Sequence, residues 1–267
     1  IILYAHSAYT GASDVQIVEA VKEATAVYTS SWVVRVLVDD SVSPESRALL
    51  QAAGAHIVDA ETWLPRFTGN MRWAFWPFVY SENGTKSENI ERFVVRSAGY
   101  SVLPRERDAV EEWERSGRML HIMRDSRDHA RTAALPHLWG CKVPCLPFQG
   151  APRALPEIAH TYLETHKAHV RTDQWFMTTT VFPLFAARDA LLAHDSVSCH
   201  IWEGSLPFPS KRNGTQFVGQ MASNWRAAIS GEAAAAAAAG EEGGGENEWT
   251  CKVSPVQCRR DPEWLKG

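Results

Sequence analysis

The sequence predicts an α/β domain: a mostly parallel sheet flanked by helices. Three observations support this: short β-branched runs that end at polar turns, segments of helical period between them, and Gly or Pro where one gives way to the next. Ile1-Ile2-Leu3-Tyr4 reads as the first core strand. Ile17, Val18, Val21, Ala24 and Tyr28 then recur at helical spacing, behind Ser13 or Asp14 as N-cap. The run Val33-Val34-Arg35-Val36-Leu37-Val38 has the pattern of a buried parallel strand and stops at Asp39-Asp40. Pro44 opens a second helix through Leu49 and Leu50, Gly54 ends it, and His56-Ile57-Val58 reads as the third strand. The order β-α-β-α-β calls for parallel strands joined by crossover helices.

Arg92-Phe93-Val94-Val95 predicts a further strand. Pro104 begins a helix that turns Val110 and Trp113 inward, Gly117 stops it, and residues 119–123 return as a strand. Residues 139–156, rich in Pro, Cys and Gly, predict an ordered loop. Helices follow from Pro156 to His166 and from Asp173 to Thr180, with Pro183 breaking the second, before the strand-like Leu191-Leu192-Ala193. The main domain is expected over 1–228. Seven alanines, Ala233 to Ala239, then lead into a Gly/Glu run with no amphipathic face, so 229–248 reads as a flexible linker or insertion. The tail 249–267 carries Cys251 and Cys258, a candidate local disulfide loop docked through Trp249 and Trp264.

Composition narrows the function classes. The 267 residues are 45% hydrophobic and 22% charged, and a net charge of -4 argues against a general nucleic-acid binder. No apolar run approaches the roughly 18–20 residues that span a bilayer. With no initial Met and a core strand at the start, the chain reads as a segment of something longer, with protein partners in a larger assembly. Its five cysteines, Cys141, Cys145, Cys199, Cys251 and Cys258, include no C-x-x-C pair and no zinc knuckle. All five are disulfide candidates, and the odd count leaves at least one thiol free or paired between chains. Asn83 and Asn213 each head an Asn-Gly-Thr sequon. Together these predict a glycoprotein of the secretory lumen or extracellular space. A cytoplasmic chain in which the triplets are ordinary turns is the alternative.

Several short segments stand in a definite order: Gly69-Asn70-Met71-Arg72-Trp73, Leu103-Pro104-Arg105-Glu106, Glu111-Glu112-Trp113, His121-Ile122-Met123-Arg124-Asp125, Leu138-Trp139-Gly140, Asp173-Gln174, His194-Asp195-Ser196 and Phe217-Val218-Gly219-Gln220. Over roughly 1–221 the chain resembles a family of glycosyltransferase-like proteins with the GT-A (nucleotide-sugar transferase) fold. The resemblance implies a sugar nucleotide bound above the carboxyl ends of the parallel strands, the edge that an α/β pattern favours for any ligand. It also implies an Asp-x-Asp element just after the strand at 92–95, where two carboxylates hold Mg²⁺ or Mn²⁺ against the diphosphate. Here the matching stretch is Arg96-Ser97-Ala98-Gly99-Tyr100-Ser101. Ser97 and Gly99 occupy the acidic positions, and Ser101 stands where the family carries an Arg. Three readings follow. The chain is a non-catalytic relative with a structural or recognition role and no cofactor, a metal-independent transferase that uses Arg or Lys, or a transferase that holds Mn²⁺ or Mg²⁺ through other acids.

Candidate residues are weighed against plainer roles. Asp39 ends a strand where a base- or ribose-reading acid would sit, whereas Asp40 fits a cap for the next helix. Arg96, Arg124 and Asp125 are candidates for the donor cleft, as an Arg suits a diphosphate and an Arg–Asp pair suits the core. Trp139 is a candidate platform for a ring, as are Trp73, Trp76 and Trp175. Asp173 matches the acceptor-facing acid. At a helix start it is stabilised as the anion, which makes it a weak base. His194 matches the late His of a metal shell, or is a half-buried His bonded to a carbonyl. Lys211-Arg212 faces a phosphate or is a solvated turn.

Overall fold

The computed structural model describes residues 2–6, 13–28, 31–60, 75–78, 90–130, 132–146, 151, 153–166, 172–198, 201–202 and 204–222. Seven strands form one sheet: β1 (Ile2–His6), β2 (Val34–Val38), β3 (Ala55–Asp59), β4 (Arg92–Val95), β5 (Leu120–Arg124), β6 (Trp139–Lys142) and β7 (Leu191–Asp195). Their order is β3-β2-β1-β4-β6-β5-β7. Every neighbouring pair is parallel except those made by β6, which runs antiparallel to both β4 and β5.

Helices α1 (Asp14–Val27), α2 (Pro44–Ala52) and α3 (Pro104–Ser116) pack on one face. There Ile2, Tyr4, Val34, Val36, Val38 and Val94 share a core with Ile17, Val21, Leu50, Val110 and Trp113. Alternate residues turn the other way: Leu3, Leu37, Phe93, Val95, Leu120 and Ile122 pack with Phe75 and Phe78 and with α4 (Leu155–Thr165) and α5 (Thr172–Phe176). This period-two division makes a sheet covered on both faces.

The local signals work as their chemistry dictates. Ser13 caps α1 in a capping box with Gln16. Pro104 stands in the first turn of α3, and Gly117 leaves it left-handed at φ 71°. Three expectations are corrected. The cap of α2 is Ser43, not Asp40, because only the Ser43 hydroxyl reaches the Ser46 N–H, at 3.1 Å. Part of the expected loop at 139–156 is β6, a strand with no readable alternation that is held from both sides by β4 and β5. Pro183 does not break the helical run. Residues Met177–Val181 form a π-turn in which the Phe182 N–H reaches back to the Met177 carbonyl, and Pro183 falls in the first turn of α6 (Phe182–Ala186).

Cys141 and Cys145 are joined by a disulfide at the end of β6. Cys199, Cys251, Cys258, Asn83, Trp73, the linker and the tail lie outside the described residues.

Candidate functional site

From β1 the chain steps to β2 on one side and to β4 on the other, so the sheet has a topological switch point between β1 and β4. In open α/β sheets a crevice forms outside the carboxyl ends of the strands at such a point. Asp39 follows β2, residues 96–101 follow β4, Asp125 follows β5 and Ser196 follows β7, all along this edge. Residues 97–101 follow β4, one of the two strands that flank the switch point.

A strap, residues 205–222, crosses the edge and is fastened along its length. The Leu206 and Asp195 N–H groups donate to Ala193 and Leu206 carbonyls at 2.8 Å each. The Val218 N–H donates to Asp125 Oδ2 at 2.9 Å, and Arg212 donates to both the carboxylate and the carbonyl of Asp125. Gly219, at φ 84°, is required here, since a Cβ would come within 2.5 Å of Leu138 and 2.8 Å of His129. The strap ends against the crevice segment: the Ser101 N–H donates to the Gln220 carbonyl, and the Ala222 N–H to that of Gly99, both at 3.0 Å.

The charged candidates are committed inside the protein. Asp125 is fully buried and receives Arg105 at 2.9 and 3.1 Å, the Ser196 hydroxyl, Arg212 and the Val218 N–H. Burial pushes its carboxyl up, but the Arg105 and Arg212 guanidiniums outweigh this and hold it below the usual range. Arg124 is equally buried and pairs with Asp195 at 2.6 Å, the Ala133 carbonyl and the Ser205 hydroxyl. Arg96 turns away from the crevice to Glu106, Tyr28 and the Val95 carbonyl, under α1 and α3. Of the two roles weighed for Arg124 and Asp125, core ion pairing is the one this geometry displays, with partners other than each other.

The remaining candidates are placed as follows. Asp39 accepts the Ser41 N–H at 3.0 Å and shapes the turn before α2. Trp139 is buried between Phe78 and Phe93, with its N–H on the Pro136 carbonyl at 3.0 Å, so it is core and offers no open face. His194 is fully buried rather than half-buried, and its neighbours include His121 at 2.8 Å and Glu112 at 3.3 Å. A carboxylate only accepts, so the bond to Glu112 assigns the proton of His194 to Nε2, and Nδ1 then accepts from His121 Nε2. The unpartnered Nδ1 of His121 is then the bare, less costly nitrogen of a neutral ring. Burial holds His121 well below its ordinary pKa, which keeps the ring neutral. At the start of α5, Asp173 accepts the Gln174 N–H at 2.8 Å, but burial outweighs this and raises its pKa. The sequence expectation of a stabilised anion is thereby reversed.

Residues 97–101 bring no carboxylate to the crevice: Ser97 offers a hydroxyl, Gly99 nothing, and Tyr100 a half-buried ring stacked on His137 at 4.1 Å. Among the described residues no three His, Cys, Asp or Glu side chains are grouped to hold a metal. The side chains at Ser97 and Gly99 therefore do not fit the divalent cation that the family resemblance implies. Sequence reasoning named Asp125 and Arg212 singly but missed the strap, the enclosure of Asp125 and the Tyr100–His137 stack. Their partners lie far apart along the chain, and no local signal marks them.

No protein-family profile and no curated protein matches the chain. Solved structures similar to it include a mycobacterial protein (11% identity, TM-score 0.37), of which the chain spans 52% while 53% of this chain is covered. Glucosyl-3-phosphoglycerate synthase from Mycobacterium tuberculosis with phosphoglyceric acid is another, at 11% identity and TM-score 0.41, covering 72% of this chain and 67% of that one. A third is the same synthase in complex with Mn²⁺, UDP and phosphoglyceric acid, at 12% identity and TM-score 0.38, covering 71% and 78%. At TM-scores below 0.5 these likenesses carry no argument about the site.

Proposed function

We propose that this chain is a glycosyltransferase-like domain of GT-A type whose donor crevice is catalytically degenerate. It serves recognition or structure within a larger lumenal or extracellular assembly. The observation that carries the reading is the segment after β4. At the switch point, where a metal-dependent transferase needs paired carboxylates, the chain has Ser97 and Gly99, and the Gly99 carbonyl is taken by the Ala222 N–H. Arg96 is paired with Glu106, Arg124 with Asp195 and Arg212 with Asp125, so these guanidiniums do not balance the charge that a diphosphate leaving group develops. The lumenal placement is supported by the Cys141–Cys145 disulfide, a bond that persists in oxidising compartments.

A second reading, a metal-independent transferase, is favoured by Asp173 alone: a carboxylate whose pKa burial raises is a better base than an ordinary one. Calorimetry with UDP- and GDP-sugars, with and without Mn²⁺, separates the two. The degenerate crevice predicts no Mn²⁺-dependent binding. Micromolar metal-dependent binding overturns it, and metal-independent turnover abolished by Asp173→Asn establishes the second reading instead. Gain of Mn²⁺ affinity in Ser97→Asp/Gly99→Asp would support the assignment of those positions.

A further inference from the structure

We infer that Asn213 is a site of N-linked glycosylation, and that its glycan stands on the strap that crosses the carboxyl edge of the sheet. Asn213, Gly214, Thr215 and Gln216 are all exposed, so the whole sequon is presented to solvent. The Gln216 N–H donates to the Asn213 carbonyl at 3.3 Å and Gly214 sits at φ 60°, which makes the sequon a tight outward turn. Both legs of the turn are anchored. Arg212 is fastened to Asp125 on one side, and on the other the Phe217 N–H donates to Gln220 Oε1 at 3.2 Å. The acceptor residue therefore stands in an exposed turn whose two flanks are both hydrogen-bonded. Because Arg212 grips Asp125 at the end of β5, and the same strap closes on Gly99 ten residues later, a glycan on Asn213 stands on the carboxyl edge of the sheet, between β5 and β4 contacts.

The donor is a lipid-linked oligosaccharyl diphosphate, with the reaction catalysed by the lumenal oligosaccharyl transferase. Asn213 Nδ2 bonds to the anomeric carbon of the sugar, the bond from that carbon to the diphosphate oxygen breaks, the electron pair leaves with the lipid diphosphate, and one amide proton is released. The inference rests on the lumenal placement and is independent of whether the crevice is active.

The test uses the full-length protein recovered from its own cells. It is treated with peptide N-glycosidase in ¹⁸O-water, and both Asn213 and the Cys141–Cys145 bond are mapped by mass spectrometry. Asn213 is expected to be converted to ¹⁸O-labelled aspartate in most copies. Thr215→Ala is expected to reduce occupancy at least tenfold, whereas Thr215→Ser retains it. An unmodified Asn213 in protein with the disulfide intact overturns the glycan assignment and leaves the compartment standing. Unmodified Asn213 with both thiols free overturns both.

Discussion

Asp125→Asn removes one charge and changes no volume, so it isolates what the buried carboxylate does. Oδ1 receives Arg105 Nη2, the Ser196 hydroxyl and Arg212, and Oδ2 receives Arg105 Nε and the Val218 N–H. Every partner is a donor. Whichever way the asparagine amide is turned, its NH₂ therefore meets at least two N–H or O–H groups that it cannot satisfy. The Arg105 guanidinium, 6% exposed, also loses its counter-charge. Breaking a buried pair from one side costs about 3–5 kcal/mol, a large share of the roughly 5–15 kcal/mol that holds a domain together. Urea unfolding followed by tryptophan fluorescence reads the loss directly. Arg212→Ala should cost less, because that side chain is 21% exposed and Arg105 still neutralises Asp125. An Asp125→Asn variant within about 1 kcal/mol of the parent, with unchanged denaturant slope, refutes the reasoning.

Further outcomes follow from the same geometry. Gly140→Ala in β6 should destabilise by about 1–3 kcal/mol in thermal or urea unfolding, since a Cβ would lie 2.6 Å from the Phe93 carbonyl oxygen and 2.8 Å from Val94. The fold should be acid-labile. Burial lowers His129 to about 4 and His137 to about 3 and holds His121 well below 6.5, so in the unfolded chain all three take up protons that the native state refuses. Stability then falls as pH drops from 6.5 towards those values, by roughly 1.4 kcal/mol per pH unit for each ring. The carboxylate of Asp125 acts in the same direction. Its contribution is present above 3.8 and lost as pH falls through its lower folded value. A flat stability between pH 6.5 and 4.5 would contradict this. Reduction of the Cys141–Cys145 bond should cost about 2 kcal/mol, the modest value of a short loop, as measured by unfolding with and without reductant.

The sequence alone determined the layered α/β architecture. Strand and helix periods, the Ser13 and Pro104 starts and the Gly117 stop are written in residues one to four positions apart, and steric and hydrogen-bonding rules act at that range. It also supplied the residues that follow β4, where no carboxylate stands at 97 or 99. Only the tertiary structure decided how the charges are spent. Arg96 could face a ligand or Glu106, and Asp125 could hold a phosphate-binding Arg or be enclosed by Arg105, Arg212 and Val218. Those partners are separated by up to 93 residues. The same holds for β6, which lacks any strand periodicity and exists because two paired neighbours take up its backbone groups. It holds too for Asp173, whose helix-start position predicts a stabilised anion until burial, a property of the assembled fold, reverses the sign.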